Sequence, residues 1–187
     1  MDPMIILWIV LGILVVLLLA VVAVYNGLVT RRVQCREAWS QIDVQLKRRH
    51  DLIPNLVETV KGYAAHERGT LEAVTAARGA AVSATGIKER AEAENMLTGA
   101  LRQLLAVAEA YPNLKANENF TQLQEELAST ENRISFARQH YNDTAADYNT
   151  TVQKFPSNIV AGMFGFKEQE FFQLEDKAEK EAPQVKF

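Results

Sequence analysis

Residues 47–67, KRRHDLIPNLVETVKGYAAHE, place two histidines, an aspartate, two glutamates and a run of cations in one short stretch. These are the residue types that ligate zinc or move protons. A helical zinc pair needs its ligands at i and i+4 on one face. His50 and His66 are sixteen positions apart, about 24 Å along a straight helix, so they cannot share an ion within one chain. Glu58 and Lys61, three apart, read as a surface ion pair. Cys35 has no histidine nearby in sequence, and no glycine-rich loop follows a strand-like run. The chain therefore reads as a non-enzyme, with no catalytic residue, no metal site and no cofactor. A metal-dependent hydrolase is the weakest of the alternatives.

Pro54 is the unusual residue of this stretch. Inside a helix, proline deprives the carbonyl four residues earlier, here that of His50, of its partner and crowds it. A helix kink at Pro54 is the expected outcome. The alternative is a restart, with Asp51 as N-cap and Pro54 in the tolerated first turn.

The elements around this stretch are legible from composition. The chain has 187 residues, a net charge of −3 and a single cysteine. An intrachain disulfide is excluded, and no basic excess points to nucleic acid. Glycine and proline are sparse, as in helical proteins. No charged residue occurs between Pro3 and Thr30. Residues 4–28, MIILWIVLGILVVLLLAVVAVYNGL, are apolar on every face and as a helix reach about 37 Å, beyond the ~30 Å hydrocarbon core. A cleaved signal peptide would begin with basic residues and carry a shorter apolar run. A transmembrane helix is expected, with Trp8 and Tyr25 near its two ends. Arg31, Arg32, Arg36, Lys47, Arg48 and Arg49 follow it, against only Glu37 and Asp43. This asymmetry predicts a short N-terminus outside and the bulk of the chain in the cytoplasm. It also offers a membrane-proximal basic cluster to anionic headgroups of the bilayer. Beyond residue 49 the balance is acidic, 14 Lys/Arg against 20 Asp/Glu.

The soluble part, residues 29–155, is expected to be a bundle of long helices. Val33, Trp39, Ile42, Leu46, Ile53, Leu56, Val60, Tyr63, Leu71 and Val74 form a helical stripe, which predicts one helix from the membrane to about residue 83. Gly86 marks a stop. A second helix is expected over 88–110, with Met96, Leu97, Ala100, Leu101, Leu104, Leu105 and Ala108 as its buried face. Pro112 breaks it. A third runs from a cap at Asn117 or Asn119 to Pro156, its coiled-coil-like seam carried by Phe120, Leu123, Leu127, Thr130, Ile134, Ala137, Tyr141, Tyr148, Val152 and Phe155. The fold class is all-α: a transmembrane helix continuing into an antiparallel bundle of long helices, with a short helical tail. Tyr141-Asn142 and Tyr148-Asn149 repeat at seven residues. With Arg133 and Arg138 they read as a structural polar network, or else as an interaction face. The tail, 156–187, carries Ile159, Val160, Met163, Phe164, Phe166, Phe171 and Phe172. It is expected to dock on the bundle. Self-assembly is the next reading, and contact with the membrane ranks last because acidic residues follow.

Two long blocks, AWSQIDVQLKRRHDLIPNLVETVKGYAAHE (38–67) and ENRISFARQHYNDTAADYNTTVQKFPSNIVAGMFGF (131–166), stand behind an N-terminal anchor. In this order and spacing they resemble the LemA family of bacterial membrane proteins. The resemblance implies a long-helix bundle, a single N-terminal span and a soluble domain inside the bacterial cytoplasmic membrane. It carries over no catalytic residue. Family members linked to magnetosome formation imply, by analogy, a part in shaping or organising membranes. The expected function is a membrane-anchored, self-assembling scaffold whose partners are the bilayer and further copies of itself. The alternative is an adaptor or signalling partner of another membrane protein.

Overall fold

The computed structural model describes residues 2–173. It consists of helices, with no strand among the described residues: α1 (Pro3–Tyr63), α2 (Arg68–Ser83), α3 (Ile87–Glu109), the single turn α4 (Pro112–Lys115), α5 (Glu118–Gln153) and α6 (Ser157–Phe164). The fold is an all-α bundle with a long apolar N-terminal helix. The part of the expected tail from Leu174 onward lies outside the described residues.

The helix that leaves the apolar segment ends twenty residues before the expected stop. Ala64 N–H still bonds the Val60 carbonyl at 2.8 Å, but Glu67 N–H turns back to that of Ala64 at 3.0 Å. Gly62 and Gly69 flank this break, and each glycine disfavours a helix by about 1 kcal/mol relative to alanine. Packing supplies the larger reason. Leu71 and Val74 share one core with Ile53, Leu56 and Val60, whereas a straight continuation would carry Leu71 about 27 Å beyond Ile53. The restart at Asp51 does not occur, since α1 is helical without a break through Pro54.

Downstream elements follow the sequence closely. Gly86, with φ of 90°, opens α3 in a conformation that side chains with a Cβ rarely adopt. Asn117 Oδ1 accepts the Phe120 N–H at 3.0 Å, the bond of an N-cap. At the far end Gly165, with φ of 70°, terminates α6 in the left-handed cap conformation.

The chain divides into two compact units, neither continuous in sequence. The first comprises the described residues up to Ser40 together with His140–Gln169; the second comprises Gln41–Gln139 together with the described residues from Glu170 on. α1 contributes to both units, and the return segment beyond Pro156 joins the first.

The second unit holds the larger apolar core. Ile53, Leu56, Val60, Val74, Leu97, Leu104 and Leu114 are fully buried in it. Met96, Val33 and Tyr63 depart from their expected buried stripes and are exposed, at the edges of the apolar faces of α3 and α1. The core of the first unit is smaller: Leu28 and Cys35 from α1, Tyr148 from α5, then Val160, Ala161 and Phe166. Phe155, expected to close the α5 seam, is 80 % exposed because α5 ends at Gln153.

Candidate functional site

The opening stretch does bring charged groups together, though not the ones that sequence spacing compares. Arg49 is 1 % exposed and Glu94, from α3, is fully buried. Arg49 Nη2 donates to Glu94 Oε2 in a short ion pair and to the Glu94 carbonyl at 3.3 Å. Its Nη1 donates to Glu131 Oε2 of α5 at 2.5 Å and to Thr98 Oγ1 at 3.3 Å. The other oxygen of Glu94, Oε1, lies 2.7 Å from His50 Nε2. One guanidinium thus ties α1 to α3 and α5 through charge-assisted bonds, the strong class of hydrogen bond. Arginine suits this role because its planar fork offers several donors in fixed directions. Arg49 accordingly leaves the expected membrane-facing cluster. Its cation is neutralised inside the bundle, while Arg31, Arg32, Arg36, Lys47 and Arg48 remain exposed.

Pro54 completes this arrangement. Lacking an N–H, it leaves the His50 carbonyl without its helical donor. Arg78 of α2 fills the vacancy, donating from Nε to that carbonyl at 2.7 Å. Arg90 of α3 pairs with Asp43 of α1 nearby. At the far end of α1, Tyr111 donates its hydroxyl proton to Glu67 at 3.3 Å. Desolvation, then the charge of Glu67 and this bond, push the Tyr111 phenol above its ordinary range.

These groups hold helices together. No group of three His, Cys, Asp or Glu side chains able to hold a metal occurs among the described residues. Lys61 Nζ meets Glu58 Oε1 at 3.3 Å on the exposed surface of α1.

The tyrosine–asparagine repeat lies in the first unit. Tyr141 is buried edge-on against Trp39, with ring centroids 5.2 Å apart. Asn149 binds the backbone of Gln169 at two points: its Nδ2 donates to the carbonyl at 2.9 Å and its Oδ1 accepts the N–H at 2.8 Å. It thereby pins the return segment onto α5. Asn142 and Arg138 are half-buried and Arg133 is exposed. The Tyr148 hydroxyl is buried without a hydrogen-bond partner among the described residues. Burial pushes it above the ordinary phenol range, the neighbouring Arg32 opposes this, and Cys35 adds to it. Cys35 is buried as well; its Sγ donates to the Thr144 carbonyl at 3.5 Å, and burial raises its thiol.

The apolar tail divides in two. Val160, Ala161 and Phe166 turn inward onto the α1 segment from Val21 to Val29. Phe164 and Phe166 meet the Tyr25 ring edge-on at 4.8 and 5.6 Å, and the Arg32 guanidinium stands 4.9 Å over Phe166. Ile159, Met163 and Phe164 stay largely exposed, as does Phe171, whereas Phe172 is buried. The apolar residues of α1 from Met4 to Leu19 are exposed on every side. This stretch is long and apolar enough to cross a membrane, and a water-facing surface of that kind has no counterpart in ordinary soluble monomers.

Buried Glu94 and the α1–α6 contact have different sequence signals. Glu94 is a carboxylate three residues after Ala91 and three before Leu97, on the face that α3 buries. That break in an apolar stripe is a readable mark of a buried ion pair. Its partner, 45 positions away, is not readable from spacing.

Curated proteins are similar over most of this chain. Magnetosome protein MamQ 2 of Paramagnetospirillum magneticum is 29 % identical, over 80 % of this chain and 64 % of its own length. MamQ of Magnetospirillum gryphiswaldense is 28 % identical, over 79 % and 64 %. Protein LemA of Metamycoplasma hominis is 28 % identical, over 73 % of this chain and 63 % of its own. The chain thus spans somewhat under two thirds of the length of these relatives. An apolar N-terminal helix and these relatives together support membrane anchoring. The pattern of the LemA family matches residues 38–187, most of the chain, and the protein belongs to the LemA family.

Proposed function

We propose that this protein is a membrane-anchored scaffold, without catalytic activity, that self-assembles and organises or remodels the bacterial cytoplasmic membrane. The observation that carries the reading is α1 itself, which passes from an all-round exposed apolar segment into the helical bundle with no break. An anchor joined to its bundle without a flexible linker suits a part that positions other things on a membrane. Arrays of such anchors multiply weak membrane contacts through avidity. The description of relatives as magnetosome proteins points the same way. The excess of Arg and Lys just after the apolar segment favours a cytoplasmic bundle.

Chemical cross-linking and sedimentation of the full chain in mild detergent test the scaffold. Concentration-dependent oligomers are expected, and a strictly monomeric particle at every concentration overturns it. The acidic balance beyond residue 49 favours an adaptor as the second reading. One stoichiometric heterologous partner from native membranes, without self-association, would select it.

A further inference from the structure

α6 combines two features. One face is docked, through Val160 and Ala161, against Val21, Val24 and Leu28 of α1. Its other face carries Ile159, 55 % exposed, and Met163, 70 % exposed, with Phe155 just upstream at 80 %. The helix itself, SNIVAGMF, contains no charged residue. Val21 to Leu28 form the last two turns of the apolar run, where a span leaves the hydrocarbon and enters the headgroup region. A helix packed on those turns is held at that depth.

We propose that α6 lies in the cytoplasmic-side interface of the bilayer as a second membrane contact, its outward face seated in lipid beside α1. The inference rests on the membrane reading of α1. Lipid is the occupant to which the surroundings point, because the exposed face of α6 sits beside the exposed apolar surface of α1. The cations fit as well. Arg31 and Arg32 lie just beyond the span, and Lys154 and Lys167 flank α6 on either side. Basic groups at the edge of an apolar helical face are the pattern of interfacial helices on anionic lipid. Of the acidic residues that follow α6, Glu168 accepts a hydrogen bond from Gln153 Nε2 of α5 at 2.9 Å. The Gly165 cap and the Asn149 clamp on Gln169 return the chain toward α5 immediately after α6. The segment therefore dips to the interface and comes back.

The test uses the full chain in vesicles of phosphatidylethanolamine and phosphatidylglycerol. In a Cys35→Ser background, nitroxide labels are placed singly at Met163→Cys, at Leu11→Cys within the span and at Val82→Cys on exposed α2. Collision with oxygen and with a water-soluble nickel chelate is then measured. The expected oxygen-to-nickel ratio at 163 is several-fold above that at 82 and below that at 11. A water-like ratio at 163 with a lipid-like ratio at 11 overturns the inference and leaves the anchor standing. Water-like ratios at both positions overturn the membrane reading itself. Low collision with both reagents at 163 means a protein contact, such as a second copy, and also overturns the inference. Should Cys35→Ser fail to fold, a diazirine photo-cross-linking residue at 163 in the otherwise native chain gives the same answer. Lipid adducts in the mass spectrum support the seat, and their absence alongside adducts at 11 refutes it.

Discussion

The two compact units solve the burial of their side chains differently. The unit built on Gln41–Gln139 has a broad apolar core and a buried guanidinium with two carboxylate partners. Few of its large apolar side chains are left exposed, Val82, Met96 and Phe136 among them. The unit built on the N-terminal segment and His140–Gln169 has a small core and leaves most of its large apolar side chains uncovered. The first kind of unit buries its apolar side chains within itself, and the second kind leaves an apolar surface open to its surroundings. Stability experiments can therefore tell the units apart: substitutions in one should register in water, and those in the other should depend on detergent or lipid.

The largest effect is expected from Glu94→Ala. It leaves the Arg49 cation buried without its fully desolvated partner, and breaking such a pair costs about 3–5 kcal/mol. Urea unfolding of the full chain in detergent reads this. Replacing both residues together, with Arg49→Met and Glu94→Leu, should recover most of the loss.

Next comes the junction at Pro54. Arg78→Ala orphans the His50 carbonyl and should cost about 1–3 kcal/mol. In a Pro54→Ala background the helix supplies its own donor, so the same substitution should cost markedly less. A double-mutant cycle with a coupling of about 1 kcal/mol is expected, and additivity would show that Arg78 does not serve that carbonyl.

In the first unit, Asn149→Ala should cost about 1–2 kcal/mol through the loss of two bonds to one peptide. Faster hydrogen exchange at the Gln169 amide, with exchange around Leu97 unchanged, would locate the effect in that unit.

The smallest effect concerns alkaline pH. Burial raises the Cys35 thiol above its ordinary 9.0 and the Tyr148 phenol above its ordinary 10.0. A group whose folded pKa is raised favours the fold while it is protonated. Its contribution is complete below the ordinary value and is lost as pH rises through the raised one. Thermal stability of this unit should stay level up to about pH 9 and decline above it. Tyr148→Phe should make the decline shallower with little change at neutral pH, since the hydroxyl it removes has no partner among the described residues. Melting curves between neutral and alkaline pH check both.

Much of this was legible in the sequence where the determinants are local. The apolar segment, the α3 limits and the Asn117 cap each depend on residues within a turn or two of one another. The break between α1 and α2 was hidden because Leu71 and Val74 keep the helical rhythm of Val60 across it, and rhythm cannot distinguish a straight stripe from one folded back on itself. The role of Arg49 was hidden in a run of cations. In KRRHD only the partner carboxylates, 45 and 82 positions away, separate the buried arginine from its solvated neighbours. Docking of the tail was expected, but its seat was not readable, because Tyr25 and Phe166 lie far apart in the chain.

The proline of α1 has one more consequence. Helices that meet along stripes of similar apolar residues can slide past one another by a turn with little loss, since one leucine replaces another in the same hole. Pro54 is the proline inside α1, and it frees a carbonyl at one height along that helix. Arg78 can satisfy it in a single alignment of α2 on α1. A shift by one turn would strand both the oxygen and the guanidinium. The residue that looks like damage to the helix thus works as a keyway, admitting its neighbour at one setting only.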